Sequence, residues 1–306
     1  MIKKIIFIVL SVLLGLVFIL SGLSKLFPIE LFELTFIDLG FAGWQTAPFI
    51  SRLFIAAEFF LGIMLILNIR MRKFTLKATI VMLLIFTVYL IIILISEGNK
   101  GNCKCFGDIL VMTPLESIIK NIIMIVVAFV LYIFHPNFKY RFQTLLIILG
   151  VLSSVSLPYI INPPDFIVSY QQSPESTGYK INLDTLYSSN DIVKPEVDLR
   201  KGKHIISFMS LRCRHCKIAA YKMHIMHKQN PAIPFYLILN GKTNDLQTFF
   251  DETKTTDIPH MILLGERFRK LAGYSLPSIL YINNTFVEKK VNYISMGYKE
   301  IIEWLK

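Results

Sequence analysis

Apolar residues form five long segments in the first half of the chain, and shorter alternating runs in the second half. A membrane-spanning helix needs about 20 mostly apolar residues. Five segments reach or approach that length, at residues 5–26, 49–69, 78–95, 115–134 and 142–161. The fifth segment is the least apolar, because its second half contains Ser153, Ser154, Ser156 and Pro158. The pattern predicts an all-α membrane bundle followed by a second, water-soluble domain.

Composition excludes a plain soluble enzyme. The 306 residues are 54% hydrophobic and 17% charged, whereas an average soluble domain carries about 25% charged residues. Disorder is excluded too, since it requires low hydrophobicity. The first apolar segment follows Lys3 and Lys4, as in a signal peptide, but it is long for one and no clear small-residue cleavage site follows it. A spanning helix is therefore the preferred interpretation.

The positive charge indicates how the helices are oriented. Lysine and arginine lie before the first segment (Lys3, Lys4), in the loop at 70–77, and between the fourth and fifth segments (Lys139, Arg141). If all five segments span, these sites share one side, which the positive-inside rule makes cytoplasmic. We therefore expect a multi-pass protein of a bacterial-type inner membrane, with an extracytoplasmic C-terminal domain. The net charge of +11 is then a sign of topology, and no nucleic-acid partner is expected.

Two ionisable residues fall inside the predicted helices. Glu58 lies in the middle of the second, where a charge is costly and indicates a functional site by default. The structural alternative, a pairing with Arg52, Lys25 or a hydroxyl, is equally open. Lys25 lies near a helix end, from which its side chain can reach the membrane interface.

The loop between the third and fourth segments contains Cys103 and Cys105. A disulfide between cysteines one residue apart departs from relaxed geometry and should be easily reduced. Such a bond suits thiol exchange better than a structural link. The alternatives are two free thiols or half of a metal site.

Three motifs in this half resemble the DoxX-like and methylamine-utilisation MauE-like membrane proteins. They are Ser21-Gly-Leu-Ser-Lys25 in the first helix, the surroundings of Glu58 in the second, and Cys103-Lys-Cys105-Phe-Gly in the loop. The resemblance covers residues 1–135 and implies a four-helix bundle with a role in redox or disulfide handling outside the cytoplasm. Residues 136–164 then form a fifth helix and linker that tether a second domain, at 165–306.

The second domain contains a Cys-X-X-Cys motif at a predicted strand–helix junction. Residues 203–209 form a buried strand, Cys213 and Cys216 follow, and residues 217–228 are helical. A cysteine at a helix N-terminus is favoured as a thiolate by the helix dipole. Cys213 is therefore the predicted attacking thiol and Cys216 the resolving one, and positive charges on Arg214 and His215 would favour the thiolate further.

The remaining elements resemble the thioredoxin-like superfamily over residues 165–306. After a connection at 162–200, a strand (234–240), a helix (245–254), a hairpin turning at Asn283-Asn284 and a closing helix (298–306) are expected in that order. Pro277 stands just before the hairpin, where this superfamily places a cis-proline beside its active disulfide. The Cys-X-His-Cys pattern resembles that of periplasmic disulfide oxidases, with arginine in place of their usual proline.

The sequence predicts a thiol–disulfide oxidoreductase. Its catalytic residues would be Cys213, Cys216, Cys103 and Cys105, supported by Arg214, His215, Pro277 and Glu58. No bound cofactor is expected. The membrane bundle would exchange the electrons with a quinone or another carrier, and extracytoplasmic thiol or disulfide proteins are the expected substrates. The logic is similar to that of vitamin K epoxide reductase fused to a thioredoxin-like domain.

Two other functions stay open. Copper handling is one, because soft ligands select Cu(I) and the chain near Cys213 also contains His215, Met223, His224, Met226 and His227. A core-facing methionine stripe with solvated histidines is the simpler explanation of that cluster. The other is a non-catalytic assembly factor, for which cysteine variants would keep function.

Overall fold

The computed structural model describes residues 2–99, 112–136, 138, 141–164, 178–187 and 194–306, without the side chains of Ile2 and Glu97. The chain divides into two compact units, Met1–Pro164 and Asp165–Lys306.

The first unit is helical. Within the described residues, five helices are long and apolar enough to cross a membrane, which makes the protein a multi-pass membrane protein. The predicted segments are thus confirmed, with ends shifted by a few residues. The helices are α1 (Ile2–Leu26), α2 (Ile29–Asp38), α3 (Ala47–Ile66), α4 (Leu76–Glu97), α5 (Pro114–Phe134) and α6 (Gln143–Ile161).

The short helix α2 was not expected, since residues 27–48 were predicted to be a loop. Most of its side chains are buried, among them Ile29, Leu31 and Phe32. With only ten residues it is too short to span a bilayer, so a search for spanning segments misses it. Ile29 and Phe32 pack with Leu26, Ile55 and Phe59, which anchors α2 to α1 and α3.

Two glycines allow α1 and α3 to pack closely. A Cβ added to Gly15 would lie 2.8 Å from the carbonyl oxygen of Gly62, and one added to Gly62 would lie 2.7 Å from the side chain of Ile19. Small residues at such a contact let two membrane helices approach with their backbones almost touching. This close contact brings the polar residues of α1 and α3 near one another.

The last helix, α6, runs unbroken through Pro158 to Ile161 despite its serines. Its end is bound to the bundle through Asn162. The backbone oxygen of Asn162 accepts hydrogen bonds from Nε and Nη2 of Arg52, at 2.9 and 2.7 Å, and its side-chain amide donates to the carbonyl of Leu26 at 2.6 Å. Arg52 also pairs with Glu33 at 2.5 Å. The exit of the chain from the bundle is therefore anchored to α1 and α3.

The second unit is a mixed sheet with helices on both faces. The strands are ordered β1-β6-β5-β2-β3-β4, with β2, β3 and β4 parallel and β1, β5 and β6 joined in antiparallel pairs. The strands are β1 (Tyr179–Lys180), β2 (Lys203–Ser210), β3 (Phe235–Asn240), β4 (His260–Ile262), β5 (Ser278–Asn283) and β6 (Phe286–Val291). The helices are α7 (Arg214–Gln229), α8 (Leu246–Thr253), α9 (Gly265–Ala272) and α10 (Tyr298–Leu305).

Side chains alternate between the two faces of the sheet along β2, so the core has two layers. Ile206 and Phe208 pack on one face with Phe268 of α9. Ser207 points to the other face, where its hydroxyl contacts the sulfur of Met223 in α7 at 3.6 Å. A parallel strand–helix–strand unit followed by an antiparallel hairpin and a closing helix is the thioredoxin-like arrangement that the sequence predicts.

Parts of this domain differ from the prediction. Residues 162–200 were expected to be an exposed connection, but Ile181, Leu183, Leu186 and Leu199 are buried in the core, and Tyr179–Lys180 pairs with β6. The strand β4 and the helix α9 were not predicted either. These pieces are two to eight residues long, too short to show a clear periodicity.

Candidate active site

Cys213 lies where β2 passes into α7. The strand ends at Ser210, a turn follows, and Cys213 is the N-cap residue of the helix. Its carbonyl oxygen accepts a hydrogen bond from the backbone N–H of Lys217 at 3.1 Å. Its sulfur accepts one from the backbone N–H of Cys216 at 3.3 Å. An acceptor at this position is stabilised by the unpaired N–H groups and dipole of the helix. The side chain is partly exposed, so a partner sulfur can reach it.

Cys216 lies one turn later and is fully buried. Burial raises the pKa of its thiol far above the usual range, and its hydrogen bond with Cys213 acts in the same direction. Cys216 is therefore a neutral thiol at physiological pH. The two sulfurs thus differ in the way that the predicted roles require: the exposed one can attack a partner, and the buried one can resolve the mixed disulfide.

Pro277 lies at the same end of the central strands as the Cys-X-X-Cys motif. The Leu276–Pro277 peptide bond is cis, as the sequence predicts, and Pro277 is buried. The antiparallel pairing of β5 with β2 ends at Ser278 opposite Phe208. The residue before Ser278 therefore lies at the end of β2 from which the Cys-X-X-Cys turn starts.

The two residues between the cysteines are exposed. The ring of His215 stacks on Tyr293, with the ring centroids 4.9 Å apart and the planes 13° from parallel. Tyr293 follows the hairpin, and its contact with the site was not predicted from the sequence. Its ring holds the imidazole of His215 against the hairpin side of the domain.

An ion pair next to the motif was not predicted from the sequence either. Arg212, the residue before Cys213, donates through Nε and Nη2 to the two carboxylate oxygens of Asp245, at 2.8 and 3.1 Å. These bonds hold the pKa of Asp245 below its usual value. Asp245 lies 33 residues later, just before α8, and sequence spacing alone gives no sign of the contact.

The residues considered as copper ligands lie at the start of α7 and along it, in different surroundings. Met223 and Met226 are buried in the core, as expected if the methionines form a core-facing stripe. His224 lies 3.9 Å from Asp257, and His227 is partly buried. Among the described residues, no group of three or more His, Cys, Asp or Glu side chains could hold a metal ion.

The membrane unit contains a buried polar cluster around Glu58. One carboxylate oxygen of Glu58, Oε1, lies 2.7 Å from Nζ of Lys25 and 2.9 Å from the hydroxyl of Ser21, and Lys25 also donates to that hydroxyl at 2.7 Å. Lys25 and Glu58 are 4% and 2% exposed. Lys25 therefore does not extend to an interface, and that expectation is wrong. Of the partners proposed for Glu58, the structure selects Lys25 and a hydroxyl, whereas Arg52 pairs with Glu33.

The other oxygen of Glu58, Oε2, is buried and has no hydrogen-bond partner among the described residues. Cys103 and Cys105, the second predicted pair, lie outside the described residues.

The fold and the cysteines define the class: a multi-pass membrane protein that carries a thioredoxin-like domain with a Cys-X-X-Cys motif. Comparison with known proteins agrees with the membrane half. Residues 3–134 match the family model of the methylamine utilisation protein MauE, which confirms the resemblance expected for the membrane bundle. The chain is 28% identical to the protein TlpB of Flavobacterium psychrophilum over 337 aligned positions, covering 94% of this chain and 91% of that protein.

Two solved structures resemble about a third of the chain. One is a secreted disulfide oxidoreductase of Mycobacterium tuberculosis that is homologous to DsbE of Escherichia coli, with a TM-score of 0.30 and 15% identity over 34% of this chain and 80% of that one. The other is the thioredoxin domain of a thiol–disulfide oxidoreductase of Bacteroides vulgatus, with a TM-score of 0.30 and 13% identity over 36% of this chain and 83% of that one.

Proposed function

We propose that this protein is a membrane-tethered thiol–disulfide oxidoreductase. It passes electrons between the Cys213–Cys216 pair and the Cys103–Cys105 pair on the extracytoplasmic side of the membrane. The observation that carries the proposal is the asymmetry of the Cys-X-X-Cys site, with a partly exposed sulfur at a helix N-terminus and a buried, protonated thiol one turn later.

The chemistry is two exchange steps. A thiolate of the substrate protein attacks the sulfur of Cys213 in the oxidised site, the Cys213–Cys216 bond breaks, and Cys216 leaves and takes up a proton. The second substrate thiol, as its thiolate, attacks the mixed disulfide and releases Cys213. The substrate has then lost two electrons and two protons, the electrons reside in the reduced pair, and substrate disulfide formation is complete.

Reoxidation follows the same chemistry in the other direction. The thiolate of Cys213 attacks one sulfur of a Cys103–Cys105 disulfide, and Cys216, after losing its proton, displaces that sulfur. The Cys103–Cys105 dithiol then passes two electrons and two protons to a quinone in the bilayer. Oxidation of substrates is the favoured direction because the sequence places no cysteine deep in the membrane or on its inner side, so it offers no thiol route for electrons from the cytoplasm.

The experiment is thiol trapping in cells. Acid quenching followed by a mass-tagged alkylating reagent reports the redox state of the Cys213–Cys216 pair. In a Cys105→Ser variant the pair should accumulate mostly in one redox state, the reduced one for an oxidase. Lys104→Ser is the matched control, because it alters the same loop and keeps both thiols.

The outcome against the proposal is an unchanged redox distribution of the pair in Cys105→Ser. The side of the membrane is tested separately with a membrane-impermeant maleimide on cells whose outer envelope has been removed. Labelling of Cys213 without lysis supports the extracytoplasmic placement, and labelling only after lysis contradicts it.

A further inference from the structure

The loop that follows β6, at residues 292–295, packs against the active-site helix α7. The strand β6 ends at Val291, which pairs with Ile279 near the start of β5. That end of the sheet carries the Cys-X-X-Cys motif, so the loop begins close to the active site. The ammonium of Lys222 in α7 donates hydrogen bonds to the carbonyl oxygens of Tyr293 and Ile294, both at 3.2 Å. These bonds fasten the loop to the helix.

The loop is also fixed by hydrogen bonds of its own. The side-chain oxygen of Asn292 accepts hydrogen bonds from the backbone N–H groups of Ile294 at 3.0 Å and of Ser295 at 2.8 Å. An asparagine that bonds the backbone two residues later forms a turn by itself. The half-buried side chain of Tyr293 therefore starts from a backbone that is held on both sides.

This loop presents the ring of Tyr293 to His215. His215 and Lys222 lie about two helical turns apart on one face of α7, so the loop contacts both of them. The imidazole of His215 is stacked on the tyrosine ring, with the centroids 4.9 Å apart and the planes 13° from parallel. An exposed side chain such as that of His215 ordinarily changes rotamer within nanoseconds. The stacked ring restricts where its imidazole can go.

The contact leaves any positive charge of His215 uncancelled. Other cations beside the motif are paired with carboxylates, in the ion pairs Arg212–Asp245 and Lys217–Glu252. His215 contacts an aromatic ring instead, and the face of a tyrosine attracts a cation without neutralising it. His215 lies two residues after Cys213 in the first turn of α7. At that separation salt screens a charge only in part, since the Debye length is about 10 Å at 0.1 M.

We propose that Tyr293 is a positioning residue of the active site, which holds the imidazole of His215 beside the N-terminus of α7, where its positive charge stabilises the thiolate of Cys213. A stabilised thiolate favours the reduced pair and makes the disulfide a stronger oxidant. The inference rests on the proposed function, because it concerns the redox equilibrium of the same site. It assigns part of that equilibrium to a residue outside the Cys-X-X-Cys motif.

The test is redox equilibration with glutathione, on the full chain in lipid nanodiscs. Cys103 and Cys105 are changed to serine in every variant, so that a single dithiol is titrated. That dithiol gives two electrons and two protons to glutathione disulfide, which becomes two glutathione thiols. Tyr293→Leu keeps apolar bulk and removes the aromatic face, and at pH 6 the equilibrium constant for this oxidation should rise about two- to fivefold. Tyr293→Phe is the matched control, because it keeps the ring, and its constant should be unchanged.

The pH separates an effect of charge from one of packing. At pH 8.5 an ordinary imidazole is neutral, so Tyr293→Leu should then differ little from the unaltered protein. Arg214, the other exposed cation between the cysteines, is present in every variant and does not alter the comparison.

A second comparison shows whether Tyr293 acts through His215. In a His215→Ala background, Tyr293→Leu should have no further effect on the equilibrium constant. A shift of the same size in that background would overturn the positioning role, and so would an unchanged constant in Tyr293→Leu alone. The equilibrium involves neither the membrane-loop cysteines nor a substrate protein. It therefore tests Tyr293 even if electron transfer between the two cysteine pairs fails, so the two proposals fail separately.

Discussion

Removing one partner of the Lys25–Glu58 pair should destabilise the membrane unit far more than removing both. The two groups are 2.7 Å apart and almost fully buried. With an effective dielectric constant of about 20, their attraction is about 6 kcal/mol. Transfer of each ion out of water costs several kcal/mol, so the intact pair is close to neutral in its net effect on stability. A single substitution leaves the other charge buried without its counterion.

The three variants to compare are Lys25→Met, Glu58→Gln and the double variant. Lys25→Met leaves a carboxylate with a single serine hydroxyl as hydrogen-bond donor, and we expect a loss of about 3–5 kcal/mol. Glu58→Gln keeps an oxygen acceptor for Lys25 but removes the negative charge, so its loss should be smaller, about 2–3 kcal/mol. The double variant should lie within about 1–2 kcal/mol of the original protein.

The assay is reversible unfolding in mixed micelles with increasing SDS, followed by circular dichroism, with free energies extrapolated to the same detergent ratio. The coupling energy is the difference between the double variant and the sum of the single variants. A coupling of several kcal/mol supports the buried pair. Additive losses would refute it, because they would show that each side chain contacts water or lipid headgroups independently of the other.

Three further predictions follow from particular contacts. Gly62→Ala should destabilise the bundle by about 1–3 kcal/mol through overpacking, whereas Gly150→Ala, whose nearest contact is 3.7 Å away, should be tolerated in the same unfolding assay. At pH 8.5, where an ordinary cysteine is about half ionised, iodoacetamide should modify Cys213 in the reduced protein and spare Cys216, because burial raises the pKa of the Cys216 thiol; mass spectrometry that finds equal modification contradicts this. Asp245→Asn should leave the stability of the soluble domain almost unchanged at neutral pH, since the ion pair with Arg212 is at the surface. The pH dependence that it removes lies in the acid range, because Arg212 holds the pKa of Asp245 below its ordinary value.

The features that could be predicted from the sequence are those with a local cause. Twenty apolar residues can satisfy their backbone in lipid only as a helix, so the five spans are evident without tertiary information. The strand, turn and helix around Cys213 lie within one stretch of 27 residues, Lys203–Ser210 to Arg214–Gln229, and the position of Pro277 follows from its place before the hairpin.

The features that could not be predicted depend on contacts between residues that are far apart in the sequence. Leu183 and Leu186 lie in a short polar segment, and only the sheet packed against them makes them core residues. Glu58 had several candidate partners in sequence, and the close approach of α1 and α3 at Gly15 and Gly62 selects Lys25, 33 residues away. The contact of Arg212 with Asp245 is of the same kind.

Two buried ion pairs among the described residues of the membrane unit differ in how far the architecture explains them. Arg52 donates to Glu33, to the carbonyl of Pro48 and twice to that of Asn162, so its bonds are used in joining α2 and the end of α6 to α3. Such a network is explained by the architecture that it holds together. Glu58 has one oxygen with two partners and another with none in the described chain, and its lysine partner comes from the neighbouring helix α1. The contact between α1 and α3 therefore accounts for the hydrogen bonds of one oxygen of Glu58 and not for the burial of the other.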